Sequence, residues 1–332
     1  MKKLVLWGKR MLLAFAILLI TLAIAGMVYQ SIGETADARR LLPPGQLVDV
    51  GGYRMHLNCQ GEGDPAVILE ALSGGTSSYW AWVQPELAKT TRVCAYDRAG
   101  RGWSEPRPAG SEDYAGQTVR ELNSLLTNGG VPGPYILVGH SIGGIYARLY
   151  ADRYPGKVVG LVLLDASHPQ QYNRIPELVE ENENFLRQSA VFPWLARLGL
   201  FRLYFSTGGE LDFQDLPARQ HNEVAAAWSS PGYFRSQRAE VIAAPGVFAQ
   251  GRNLGNLGDL PLVVISAAEG LHPRWHELQK DLATLSSDVL HITIPGATHT
   301  SLVFNREHAG MVREVIQQLV KAVRESRPLL AQ

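Results

Sequence analysis

Hydrophobic and polar positions along the 332 residues follow three different rhythms. Residues 11–29, MLLAFAILLITLAIAGMVY, form an unbroken uncharged run with no polar face. Nineteen residues at helical rise span about 30 Å, close to the hydrocarbon thickness of a bilayer. From residue 46 onward short apolar runs alternate with helical patterns. Residues 46–50 and 53–58 alternate apolar and polar around Gly51-Gly52, a hairpin signature. Residues 66–69, 92–96, 135–138 and 158–164 read as strands, with helical spacing over 79–89, 113–127 and the stretch after residue 143. The run 158–164 is almost wholly apolar, as expected of a parallel strand buried on both faces. Between 169 and 256 the strand rhythm stops, and helical stretches carry Phe185, Phe192, Trp194, Phe201, Phe205 and Trp228. It resumes with strands at 262–266 and 289–294 and helices at 275–285 and 311–323.

This alternation predicts an α/β protein with a helical insertion. The division read from it is a basic tail (1–10), an apolar span (11–29), a polar linker (30–46), a core in two pieces (47–168 and 257–332) and a helical cap (169–256).

Lys2, Lys3, Lys9 and Arg10 all precede the apolar span. The positive-inside rule then places the N-terminus in the cytoplasm and everything after Tyr29 across the membrane. The competing reading is a signal peptide cleaved after Ala23-Ile24-Ala25, which would release a secreted domain. The apolar run continues past that site, and Tyr29 stands where an interfacial aromatic belongs, which favours a single-pass anchor with an extracytoplasmic domain.

Charged residues make up 19% and the formal net charge is zero, so no basic stripe marks a nucleic-acid partner. Cys59 and Cys94 are the two cysteines, and no Cys/His cluster has metal-ligand spacing. No metal or cofactor is expected. Both cysteines fall near apparent strands, as buried thiols or, after export, as one disulfide.

The candidate chemistry centres on residues 135–154. An apolar strand runs into Gly139-His140-Ser141-Ile142-Gly143-Gly144 and then into a helical pattern. Strand, sharp turn and helix is the context that makes G-x-S-x-G a nucleophile elbow. The tight turn demands near-absent side chains two residues before and after the serine, and Gly139 and Gly143 supply them. A serine hydroxyl needs an imidazole to take its proton. His299 follows the last strand and precedes the last helix, on the edge where the elbow opens. His140 is fixed beside Ser141 and is read as packing or orienting; His168, His221, His272, His276, His291 and His308 are read as surface or packing residues.

With the elbow, the segment Asp97-Arg98-Ala99-Gly100-Arg101-Gly102-Trp103-Ser104, the strand end LVLLDASHP and the late loop GATH, the chain resembles an α/β-hydrolase over about 47–323. The resemblance implies a doubly wound, mostly parallel eight-stranded sheet with a helical cap and a triad in the chain order serine, acid, histidine. It implies Ser141 as nucleophile, His299 as base, and backbone N–H groups of Ile142 and Leu72 (or Ser73) as oxyanion donors. For the acid it leaves two positions, Asp165 at the end of one apolar strand and Glu269 after the next, where an aspartate is common and absent here. Asp97, Arg98 and Gly102 match the family's structural turn and are assigned no chemistry.

A serine at the elbow separates the chain from the family's dehalogenases and epoxide hydrolases, which attack with aspartate. The implied activity is hydrolysis of a carboxylic ester through an acyl-enzyme, with peptidase or thioesterase as related alternatives. A ligand-binding protein without turnover is the alternative of a different class. The cap's aromatics would either roof the site and favour a partly apolar acyl substrate or form the cap's own core.

Overall fold

The computed structural model describes residues 2–108, 113–209, 213, 215–270 and 272–329; of the ranges read from the sequence, residues 1, 109–112, 210–212, 214, 271 and 330–332 lie outside them. One eight-stranded sheet carries the fold, in the order β1-β2-β4-β3-β5-β6-β7-β8. Strands β1 (Gln46–Asp49) and β2 (Arg54–Gln60) form the expected hairpin and pair antiparallel; β2 also meets β4 (Val93–Tyr96) antiparallel. From β4 onward every pairing is parallel, through β3 (Ala66–Glu70), β5 (Tyr135–His140), β6 (Val158–Leu164), β7 (Leu262–Ala267) and β8 (Val289–Ile294).

Alternation along the strands feeds two cores. Val67 and Leu69 enter one face with Val138, Val162 and Ile265, while Ala66 and Ile68 enter the other with Leu137, Leu161 and Val264. Helix α1 spans Lys2–Arg40 and α2 the single turn Gln84–Leu87; α3 (Tyr114–Asn128) and α4 (Gly143–Arg153) cover the second core. The cap is α5 (Gln171–Arg174), α6 (Glu177–Gln188), α7 (Phe192–Arg197), α8 (Leu200–Ser206), α9 (Ala218–Trp228) and α10 (Pro231–Arg252). Helices α11 (Trp275–Leu282), α12 (Ser301–Phe304) and α13 (Arg306–Glu325) complete the core. Val312, Val315, Ile316, Leu319 and Val320 form the buried stripe of α13, at the spacing that one helical face requires. The helix read at 79–89 is instead a 3-10 turn at Ser77–Trp80 followed by α2, because Pro85 lacks the N–H a continuous helix would use.

One further finding departs from the sequence reading, and a second chooses between two alternatives that the sequence leaves open. Residues 30–40, read as a linker, are the last turns of α1, and Pro43-Pro44 prevent its continuation. This part of α1 is docked on the cap. Gln30 Nε2 donates to the Ser229 carbonyl (2.9 Å), Arg202 Nε donates to Gln30 Oε1 (3.0 Å), and the Arg202 guanidinium reaches Asp37 Oδ2 at 2.7 Å. Gly26 and Gly33 permit the approach, since a Cβ at either would collide with the Leu198 carbonyl or the Arg202 side chain. Second, the cap's aromatics pack chiefly on one another. Phe192, Phe201 and Phe234 lie with ring centroids 4.5–5.5 Å apart, and Trp228 stacks on Tyr233 at 5.3 Å. These five rings are the cap's own core, whereas Trp194 is exposed.

Cys59 and Cys94 are register partners on β2 and β4 and form a disulfide that closes a 35-residue separation. Removing it (Cys59→Ala with Cys94→Ala) is expected to cost about 4 kcal/mol by the chain-entropy relation for a loop of that length. Denaturant unfolding of the oxidised parent and the double variant measures the difference; equal midpoints would contradict it.

Candidate active site

The elbow forms as its glycines require. Ser141 takes φ 56°, in the left-handed region that a non-glycine residue occupies at a cost. Its N–H donates to the Leu164 carbonyl (3.1 Å), and its own carbonyl accepts from the N–H groups of Gly144 (3.0 Å) and Ser167 (2.9 Å). These bonds tie the turn to the end of β6. A Cβ at Gly143 would sit 2.8 Å from the Glu70 side chain and carbonyl, so the start of α4 lies directly against the loop leaving β3.

Asp165 ends β6 fully buried and also has positive φ, 41°. Its Oδ1 accepts from the indole N–H of Trp275 (3.0 Å) and the backbone N–H of Ala267 (3.2 Å). Its Oδ2 lies 2.6 Å from His299 Nδ1. A carboxylate only accepts, so Nδ1 carries the proton and Nε2 is left with its lone pair, the form a general base needs. His299 follows β8, and its carbonyl accepts from His140 Nε2 at 3.0 Å. That carbonyl fixes His140's proton on Nε2. Burial and the nearby His299 push the His140 imidazole well below its ordinary value, so it stays neutral at neutral pH.

The structure thus brings Asp165 and His299 into direct contact and anchors the His299 backbone to the residue preceding Ser141. It does not join Ser141 to His299 directly: among the described residues the Ser141 hydroxyl makes no hydrogen bond. Such contacts commonly tighten only when substrate is bound. Glu269 stands apart. It is exposed, its N–H donates to the Ala297 carbonyl (2.9 Å), and its carboxylate has no hydrogen-bond or ion-pair partner among the described residues.

The N–H groups of Ile142, Leu72 and Ser73 have no acceptor among the described residues. The loop bearing the last two is held from behind by Arg98. Its guanidinium donates to the Ala71 carbonyl (2.6 Å), to the Leu72 carbonyl (2.7 Å) and to Glu70. Because trans peptides point N–H opposite C=O, gripping these two carbonyls directs the N–H groups of Leu72 and Ser73 away from Arg98. Arg98 Nε also lies 3.0 Å from Glu240 of α10, and Glu240 accepts from Ser73 Oγ (2.8 Å) and the Gly74 N–H (3.2 Å). Arg101 pairs with the same carboxylate at 3.2 Å. Burial pushes the Glu70 carboxyl up to about 7, against the charge of Arg98. Burial also works against Glu240, but Arg98 and Arg101 outweigh it and hold that carboxyl below its usual range.

From the sequence, Asp97, Arg98 and Gly102 match a structural turn and nothing marks Glu240. Asp97 does brace the turn, accepting from Ser77 N–H (2.6 Å), Trp103 N–H (3.1 Å) and His56 Nδ1 (2.8 Å). A charged pair ending a buried strand was the one visible signal for Arg98. Glu240 has no local signature, since its partners Arg101 and Ser73 lie 139 and 167 positions away. Arg98→Ala would leave Glu70 and Glu240 buried without this cation and is expected to cost about 3–5 kcal/mol. Arg98→Lys should not restore it, because a point charge cannot replace the planar fork. Urea unfolding measures both; an unchanged midpoint for Arg98→Ala would contradict the clamp. Among the described residues no group of three His, Cys, Asp or Glu could hold a metal ion.

The fold and this arrangement define an α/β-hydrolase. The alpha/beta hydrolase family matches residues 71–314, and the chain belongs to it. An uncharacterized protein of Schizosaccharomyces pombe is 30% identical over 224 residues, covering 65% of this chain and 39% of its own length. The 2-hydroxy-6-oxo-2,4-heptadienoate hydrolase of Pseudomonas putida is 33% identical over 124 residues, covering 37% of this chain and 44% of its own. The chain therefore spans about two fifths of the length of these relatives. An epoxide hydrolase of Bacillus megaterium superposes with a TM-score of 0.64 at 17% identity, covering 83% of this chain and 100% of that one, a likeness of fold.

Proposed function

We propose that the chain is a serine hydrolase that cleaves a carboxylic ester through an acyl-enzyme on Ser141. The observation that carries this reading is the Asp165–His299 pair, 2.6 Å apart and tethered through His140 to a serine held at positive φ. In this reading His299 Nε2 takes the Ser141 proton as Oγ attacks the ester carbonyl. The N–H of Ile142, with that of Leu72 or Ser73, receives the developing oxyanion. His299 then protonates the departing alcohol, and water, activated by the same imidazole, releases the acid. A serine rather than an aspartate at the elbow supports acyl transfer over the epoxide opening named for some structural neighbours. The contact of the Asp165 carboxylate with His299 supports catalysis over a binding protein without turnover.

The helix α1 is long and apolar enough to cross a membrane, and none of its apolar window is buried within the chain. We place the catalytic domain outside the cytoplasm, anchored by α1; the Cys59–Cys94 disulfide supports an oxidising compartment. Purified full-length protein tested on p-nitrophenyl esters of graded chain length, with thioesters and peptide anilides beside them, decides the activity. Ester turnover is expected, and thermal stabilisation by these compounds without turnover of any of them would contradict the reading.

A further inference from the structure

Five of the nine exposed large hydrophobic residues outside α1, among those described, fall between positions 191 and 204. They lie on α7, on α8 and on the turn just before them, and Trp194 is the most open at 72%. Single exposed apolar side chains are ordinary, but such a concentration on one connection of a folded domain calls for a partner.

The same connection is where the cap touches α1. Leu198 and Gly199 link α7 to α8. The Leu198 carbonyl packs against Gly26, and a Cβ at Gly199 would lie 2.8 Å from the Tyr29 ring. Gly26 and Tyr29 belong to the apolar span, so this contact fixes the height of α7 and α8 relative to it. Trp194 is one helical turn before Leu198, about 6 Å along the axis, and Leu200 and Leu203 occupy the first turn of α8. Polar pairing begins just past the apolar span, at Gln30 with Ser229 and Arg202, and continues to Asp37, which Arg202 also reaches. A bilayer that covers α1 as far as Tyr29 must therefore extend to the α7–α8 connection. Exposed Arg197, in the last turn of α7, adds a cation suited to lipid phosphate at that level.

We infer that the α7–α8 connection rests in the interfacial layer of the phospholipid bilayer that α1 crosses, with Val191, Trp194, Leu200 and Leu203 in contact with lipid. The inference rests on the anchor reading of α1. An amphipathic surface of this kind, with a tryptophan beside leucines, matches the composition of interfacial segments. It also links the bilayer to the candidate active site: α7 packs on α10, which carries Glu240 and so holds the Ser73–Gly74 loop.

The test uses the full chain in phosphatidylcholine vesicles with a single environment-sensitive label at Leu200→Cys, Leu203→Cys, Leu18→Cys or Lys321→Cys, the native cysteines being bridged. All four positions are exposed, so the substitutions leave packing intact. Labels at 200, 203 and 18 are expected to shift to the blue and to be quenched by doxyl-labelled phosphatidylcholine, while the label at 321 stays in water. Quenching at 18 without quenching at 200 and 203 would overturn the inference and leave the anchor standing. No quenching at 18 would overturn the anchor itself, and the inference with it.

Discussion

Ser141→Ala is expected to lower kcat for ester hydrolysis by about a million-fold, the loss typical when the nucleophile of such a triad is removed. The thermal midpoint should barely move. The Ser141 hydroxyl makes no hydrogen bond among the described residues, and alanine pays the same backbone strain at φ 56° as serine does. The variant therefore separates chemistry from folding. Steady-state kinetics on the most rapidly cleaved ester, with a melting curve for each protein, makes the comparison. Retained turnover in a folded Ser141→Ala protein would mean that another group attacks.

Asp165→Asn is expected to cost about ten-thousand-fold in kcat, whereas Glu269→Gln should leave activity within a few-fold of the parent. The reason lies in which atoms Asp165 offers. One oxygen already accepts from Trp275 and Ala267, and an asparagine would keep its carbonyl oxygen there. Its amide NH2 would then face His299 Nδ1, which must accept rather than donate. The imidazole proton moves to Nε2, and the lone pair that should take the Ser141 proton is gone. Glu269 is exposed, with no partner to lose. Comparing kcat for the two variants checks this; a larger loss at Glu269 would reverse the assignment.

Features written in local spacing were legible from the residues alone. The elbow, the strand runs and the loop bearing His299 are each encoded within a dozen positions, and parallel packing then brings their C-terminal ends to one edge. The choice between Asp165 and Glu269 was not local. It depends on which strand end faces the loop after β8, and the sequence held a plausible acid at both. The clamp of Arg98 and Glu240 joins a core strand end to the cap across more than a hundred residues, with no motif at the cap end. Residues 30–40 looked like a linker because they are polar, yet they are helical and their polarity is used against Arg202 and Ser229. The cap's aromatics could not be sorted between roof and core by composition; their mutual packing answers it.

The most direct test of the central claim is covalent labelling of the folded full-length protein with a fluorophosphonate, followed by peptide mass spectrometry. An activated serine at the elbow should yield one adduct, on Ser141, absent from Ser141→Ala. No adduct on folded protein, or an adduct that persists in Ser141→Ala, would contradict it.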